Sequence, residues 1–305
     1  MLLGIDTGGT TINMGLVKGS DLVVKKTVPS FKKEWNKQQT LDYLCDEIAG
    51  IITPDVERIG IGVPTLVDPA KGIAYQAANI PSWDEVNIKE AVEKCFGIPV
   101  SVNNDSNCFA LGAAAKLDAR EKVVVGITLG TGLGVGVIVD GKLLDGTHCG
   151  VGEIGALPYN GHDYEEFCSK KFFTARKLGG KEAYDKAEEG DSQALAAFEE
   201  FGRHLGEFLA VVMYAYDADR IVSGGGVANS FKHFRCSMEK TLAMRYPYVM
   251  ALENLKIEAL PQGDIPVLGA SQLTNYGYEN KDYSCNYHDV RERMRGCAGA
   301  HPVDP

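Results

Sequence analysis

No stretch of the 305-residue chain is apolar over the roughly 20 residues that a membrane-spanning helix requires. The amino terminus runs straight into Gly4 and Asp6, without the basic start and apolar core of a secretory leader. Both absences point to a cytoplasmic protein with no membrane partner. Cations are in deficit, 31 Lys and Arg against 41 Asp and Glu for a net charge of −10. Such a surface repels phosphate backbones, so nucleic acid is not an expected partner. Cysteine is sparse, eight in all, with no CxxC pair and no repeated short spacing, which excludes a disulfide framework and leaves reduced thiols as the expectation. Neither a Walker loop (GxxxxGK[ST]) nor a GxSxG nucleophile elbow occurs.

Glycine is plentiful, 35 residues, and it falls in revealing places. Leu2–Ile5, Ile12–Val17 and Leu22–Lys26 read as a three-strand meander whose first turn is Asp6-Thr7-Gly8-Gly9-Thr10. A helix over 40–52, a buried strand at Ile59–Val63, a helix at Ile88–Phe96 closed by Gly97, a strand at 99–103 and an Ala-rich helix over 108–116 follow. The arrangement then restarts: strand Val123–Leu129, turn Gly130-Thr131-Gly132, return strand Val135–Val139, a third piece at Lys142–Leu144, helix over 193–216 and strand Arg220–Ser223 before Gly224-Gly225-Gly226. This duplication predicts an α/β protein of two domains facing each other across a cleft, where ligands usually bind. The first would span 1–118, completed by a helix near 265–275, and the second 119–264. Residues 276–305, rich in Tyr, Asn and charge, read as a surface tail with no assigned role.

The two glycine turns suggest chemistry. Glycine removes the Cβ, so backbone N–H groups can close on an anion, and threonine hydroxyls donate further bonds. Gly8, Gly9, Thr10 and Thr11 in one domain, and Gly130, Thr131 and Gly132 in the other, would cradle a polyphosphate between them. Asp6 would hold Mg²⁺ directly or through water, because a hard cation on phosphate oxygens takes a carboxylate. Ordinary hairpin turns are the alternative for either motif taken singly. Gly224, Gly225 and Gly226 would let an adenosine moiety approach the backbone, or simply make a tight strand-to-helix turn.

Asn103-Asn104-Asp105-Ser106-Asn107 lies at a strand end before an apolar helix, where α/β proteins place function. Phosphoryl transfer to a hydroxyl needs a carboxylate to take the proton, and Asp105 is the candidate base. Its competing role is to cap the helix. Glu153, within Gly152-Glu153-Ile154-Gly155, and Glu165 can accept hydrogen bonds from adjacent sugar hydroxyls, or be solvated surface acids. His148, Cys149, His162 and Cys168 are zinc-type side chains, but their spacing fits no closed four-ligand pattern.

Taken in order, these motifs resemble the ROK family of sugar kinases and regulators, part of the actin-like ATPase superfamily. The carrying segments are Gly4-Ile5-Asp6-Thr7-Gly8-Gly9-Thr10, Gly60-Ile61-Gly62-Val63-Pro64 with Val67-Asp68-Pro69, Asn79-Ile80-Pro81-Ser82-Trp83, Asn104-Asp105-Ser106-Asn107, Leu129-Gly130-Thr131-Gly132-Leu133-Gly134, Gly152-Glu153-Ile154-Gly155 and Ile221-Val222-Ser223-Gly224-Gly225-Gly226. They span about residues 2 to 273. The resemblance implies two actin-like (ribonuclease H-like) domains closing on ATP-Mg²⁺ and a hexose. By motif position, Asp105 would be the general base for the 6-hydroxyl, and Asn104, Glu153, Glu165 and Asn79 sugar ligands. Asp6, Gly9, Thr10 and Thr131 would meet phosphate and Mg²⁺, and Gly225 the nucleotide. Dimers are common in the family and are an expectation here.

Three departures stand out. Ala156 replaces the His that follows Gly-Glu-Ile-Gly in many relatives, the CxCGxxGCxE zinc loop is missing between Pro158 and Cys168, and Pro64-Thr65-Leu66 replaces Pro-Gly-Pro. The first two imply that structural zinc is absent. The expected activity is an ATP-dependent hexose kinase acting on glucose or an N-acetylhexosamine such as N-acetylglucosamine or N-acetylmannosamine. The alternative is a sugar-binding regulator without kinase activity. DNA-binding repressors of the family carry an N-terminal helix-turn-helix, for which the turn beginning at Asp6 leaves no room.

Overall fold

The computed structural model describes residues 1–273 other than 78, 79, 145, 147 and 262. The chain builds two five-stranded sheets with the same strand order. In the first, β1 (Leu2–Thr7) pairs antiparallel with β2 (Thr11–Lys18), which pairs with β3 (Asp21–Pro29). On its other side β1 runs parallel to β4 (Arg58–Val63), which runs parallel to β8 (Val100–Asn104). Between the last two comes a small meander of β5 (Leu66–Asp68), β6 (Ile73–Tyr75) and β7 (Glu85–Asn87). The second sheet repeats the plan with β9 (Val123–Leu129), β10 (Leu133–Val139), β11 (Lys142–Leu143), β14 (Arg220–Gly224) and β15 (Lys256–Ala259). A short hairpin, β12 (Pro158–Tyr159) with β13 (His162–Asp163), lies in the segment inserted after β11.

Helices connect the parallel strands and follow the last strand of each sheet. In the first half these are α1 (Lys37–Ala49), held by an Asn36–Gln39 capping box, α2 (Ile88–Phe96), stopped by Gly97 at φ 66°, and α3 (Asp105–Lys116). In the second half α4 (Tyr164–Cys168), α5 (Lys170–Ala175) and α6 (Gly180–Glu188) precede α7 (Ser192–Tyr216), then α8 (Phe231–Arg245), α9 (Val249–Asn254) and α10 (Ile265–Gln272). By place in the repeat, α10 corresponds to α3.

These two helices join the halves. Helix α3 leaves the first sheet and packs on β9 and β10 of the second, while α10 leaves the second and packs on β1 and β4 of the first. Close approach is possible because small residues line both contacts. A Cβ on Gly4 or Gly60 would run into the backbone of α10, and one on Gly126 would come within 2.6 Å of Ala110. The cores follow the same plan: one cluster under each sheet, and a third built from Cys108, Phe109, Leu111, Val124, Val222 and Ile265 where the helices cross. Among the described residues no helix is long and apolar enough to cross a membrane.

Candidate functional site

In both sheets the central strands are parallel, so their carboxyl ends lie on one side, where open α/β sheets place ligands. Asp6 is near the end of β1, Asn103 and Asn104 end β8, Gly130 follows β9, and Gly225 follows β14.

The first turn is held from outside. Ser30 donates its hydroxyl to the Gly8 carbonyl (2.6 Å) and its N–H to the Thr10 carbonyl (2.9 Å), while the Gly8 N–H donates to the Thr11 carbonyl. Gly9 and Thr10 are exposed, and Thr11 already belongs to β2. Thr7 is buried and donates to the Gly62 carbonyl (2.8 Å), tying β1 to β4 beside Asp6. The Asp6 carboxyl is pushed up to about 6 because burial outweighs its hydrogen bond with Asn13.

The second turn is closed by the Gly130 N–H donating to the Gly132 carbonyl, and anchored by the Lys170 N–H on the Gly130 carbonyl. Thr131 is exposed. Glu165 accepts from the Leu133 N–H (3.0 Å) with one oxygen and from Lys171 (2.6 Å) with the other. A Cβ on Gly132 would sit 2.5 Å from the same carboxylate, which would have to shift to make room. Two of the three glycines after β14 have packing reasons. Gly224 faces the Phe109 ring of α3 too closely for any side chain, and Gly225, at φ 89°, abuts Leu129. Gly226, at φ −61°, is exposed and in a conformation any residue adopts.

Helix α3 begins three residues earlier than the apolar pattern suggests, and its cap is Asn104. The Asn104 Oδ1 accepts from the Ser106 N–H (2.8 Å), and its Nδ2 donates to the Thr65 carbonyl (3.1 Å). Asp105 is thereby released from the capping role. Half-buried in the first turn, it accepts from the Ser106 hydroxyl at 3.3 Å. Its pKa rises to about 7, driven first by burial, then by the Asp6 charge, against the lowering effect of the Ser106 bonds, with Glu153 adding. The Ser106 hydroxyl also lies 3.0 Å from Thr128 Oγ1, joining the two halves beside Asp105.

Glu153 opens a 3-10 turn over Glu153–Ala156, seated on β10 by Gly152 (φ 89°) and Gly155, where a Cβ would meet the Val135 and Leu133 carbonyls. As a residue Glu153 is exposed, but desolvation of its carboxyl and the neighbouring Glu165 charge raise its pKa. Asp6, Asp105, Glu153 and Glu165 therefore form one electrostatically connected group of acids between the two glycine turns. Asn79 lies outside the described residues, as do residues 276–305.

The zinc-type side chains do not assemble. Cys168 is fully buried, with its thiol pKa raised by desolvation, whereas His148 and His162 are exposed. Among the described residues no group of three or more His, Cys, Asp or Glu could hold a metal ion. A cavity of ≈ 360 Å³ lined by Asp217, Ala218, Asp219 and Asn254 opens at the amino end of β14, away from the strand ends that carry these acids.

Three neighbours of the site were not singled out by sequence. Ser106 sits inside the polar cluster. Thr128 was findable from the duplication, for it occupies in β9 the place of Asp6 in β1: each faces a turn-side partner on the next strand (Asn13, Gly134) and a glycine on the parallel one (Gly62, Gly224). Lys171 had no local signal.

The model of the ROK family matches residues 2–275. The glucokinase of Thermotoga maritima is 26% identical over 306 residues, covering 89% of this chain and 96% of its own. The N-acetyl-D-glucosamine kinase of Yersinia enterocolitica is 29% identical over 297 residues, covering 87% and 95%. Among solved structures, a ROK family glucokinase from Streptomyces griseus in complex with glucose and AMPPNP superposes with a TM-score of 0.73 at 26% identity, covering 89% of this chain and 98% of that one.

Proposed function

This chain belongs to the ROK family, and on that premise we propose that it transfers the γ-phosphoryl group of ATP to the 6-hydroxyl of a hexose, either glucose or an N-acetylhexosamine such as N-acetylglucosamine or N-acetylmannosamine. One observation carries this function: a carboxyl with a pKa near 7, freed from helix capping by Asn104, stands beside Asp6 between two glycine turns. A base works best with its pKa near the working pH. Asp105 takes the 6-hydroxyl proton and holds the oxygen toward the phosphate turns. The relatives that bind glucose, N-acetylglucosamine and AMPPNP support the substrate classes.

The residues present fit ATP and Mg²⁺. The Asp6 carboxylate is raised to about 6, so a divalent cation beside it relieves a cost that burial imposes. Nothing lies within 4 Å of a Cβ position on Gly130, which leaves room for phosphate against the backbone. When bound, Mg-ATP supplies the phosphoryl group and neutralises its developing charge. Gly8, Gly9, Thr10, Thr11, Gly130, Thr131 and Gly132 orient it, and the Gly225–Gly226 turn receives the adenosine. Glu153 and Glu165 accept from sugar hydroxyls. Asn104 offers its second Nδ2 hydrogen, and Asn79 is placed with them by motif position. Lys171 orients Glu165 through their 2.6 Å ion pair.

ADP release from ATP and Mg²⁺, measured across a panel of hexoses and N-acetylhexosamines with and without a zinc chelator, tests this function. Sugar-dependent release that ignores the chelator is expected. Sugar binding by calorimetry with no ADP release would instead make the chain a non-catalytic sugar-binding protein of the same family.

A further inference from the structure

Cys45 on α1 and Cys95 on α2 are 50 residues apart in sequence, yet their Sγ atoms lie 2.6 Å apart. Unbonded heavy atoms settle at about 3.5–4.0 Å. The pair is instead about 0.6 Å beyond a covalent S–S bond of roughly 2.04 Å. Cys95 is exposed and Cys45 half-buried, so an oxidant reaches the first directly and the second waits behind it. Two well-formed helices, capped by Asn36 and by Asn87 with Gly97, hold the thiols in place.

We propose that Cys45 and Cys95 are a modification site, a dithiol that a hydroperoxide converts to a reversible disulfide bridging α1 and α2. The Cys95 thiolate attacks one peroxide oxygen, the O–O bond breaks, and the leaving hydroxide departs as water with a proton. Cys95 is then a sulfenic acid. The Cys45 sulfur attacks the Cys95 sulfur, the S–O bond breaks, and the Cys45 proton leaves with that oxygen as a second water. Two thiols and one peroxide thus give one disulfide and two waters, and an external dithiol reverses the change by exchange. Burial, the Cys95 neighbour and the Asp42 and Asp46 charges push the Cys45 thiol up to about 12, which suits it to the second step and not the first.

The pair stands apart from the acids of the cleft. Cys95 is near the end of α2, which delivers the chain to the start of β8, whereas Asp105 follows the end of that five-residue strand, roughly 17 Å on. The bridge therefore acts on the first domain, whose unfolded loop it shortens, and stands or falls independently of the kinase function.

The test is peptide mass mapping of the full-length protein after brief treatment with equimolar hydrogen peroxide and alkylation of remaining thiols. A Cys45–Cys95 cross-linked peptide, lost on adding dithiothreitol, is expected, together with an unfolding temperature several degrees higher than that of the reduced protein. Cys95→Ser abolishes both effects, and in Cys45→Ser the single equivalent of peroxide leaves Cys95 as a sulfenic acid, which dimedone traps. Recovery of Cys45 and Cys95 as separately alkylated or over-oxidised peptides, with no cross-link, overturns the proposal.

Discussion

Gly112 of α3 and Gly269 of α10 meet where the two helices cross, and each presents its missing side chain to the other's backbone. A Cβ on Gly112 would collide with the Ile265 carbonyl, and one on Gly269 with the Cys108 carbonyl. The relation is reciprocal: Cys108 stands four residues before Gly112, as Ile265 stands four before Gly269. Since each helix lies on the opposite half's sheet, this crossing is the joint between the halves.

Gly269→Ala should therefore cost stability by about 1–3 kcal/mol, the usual price of overpacking a core contact. Urea unfolding reads it as a lower midpoint. Gly161→Ala, a control at φ 79° with open space around its Cβ position, should cost only backbone strain and less than Gly269→Ala.

Asp105→Asn separates chemistry from stability. Turnover should fall by about 10²–10⁴-fold, as when a general base is removed, with ATP affinity by calorimetry nearly unchanged. The same variant should be more stable at pH 8. A carboxyl at about 7 in the fold against 3.8 unfolded favours its protonated form in the fold, so its contribution is full below pH 4 and lost as pH rises through 7. Removing the charge recovers on the order of 4 kcal/mol at alkaline pH, visible as a rise of several degrees in unfolding temperature at pH 8 and little change at pH 4.

The acid limb of kcat/KM should report Asp105 coupled to Asp6, with an apparent pKa belonging to the pair. Because the Asp6 charge raises Asp105, Asp6→Asn should move that limb to lower pH. Ser106→Ala, which removes a hydrogen bond that lowers the Asp105 pKa, should move it to higher pH. A pH–rate profile of residual activity in each variant decides the sign.

Lys171→Met should raise KM for the sugar several-fold while leaving kcat within a factor of about two, because Lys171 orients Glu165 without facing the transferred group. Lys171→Arg should restore most of the loss. A fall in kcat alone would remove the positioning role.

Much of this fold was legible in the chain. The apolar runs at Leu2–Ile5 and Val123–Leu129, each followed by a glycine turn and a return strand, announce β1 and β9, and Gly97 ends α2 where the pattern stops. Three consecutive cap-competent residues, Asn103, Asn104 and Asp105, blur the start of α3, and only the contact with the Thr65 carbonyl selects Asn104. Helix α8 has no side-chain cap at Ser230, and β15 offers one large apolar residue, Ile257, in four, so neither declares itself. Within the site the acids were individually visible. Their mutual approach depends on chain segments that nothing in local sequence relates, and the Lys171–Glu165 contact, only six residues apart, depends on the break between α4 and α5 at Ser169.

The carboxylate of β1 has a hydroxyl as its counterpart in β9, Asp6 against Thr128. Two identical halves would accept an elongated guest head-first or tail-first with equal ease. A charge at this strand position in one half and a hydroxyl in the other make the two turns unlike, and on the proposed function that difference would orient a bound triphosphate with its outermost group toward Asp6.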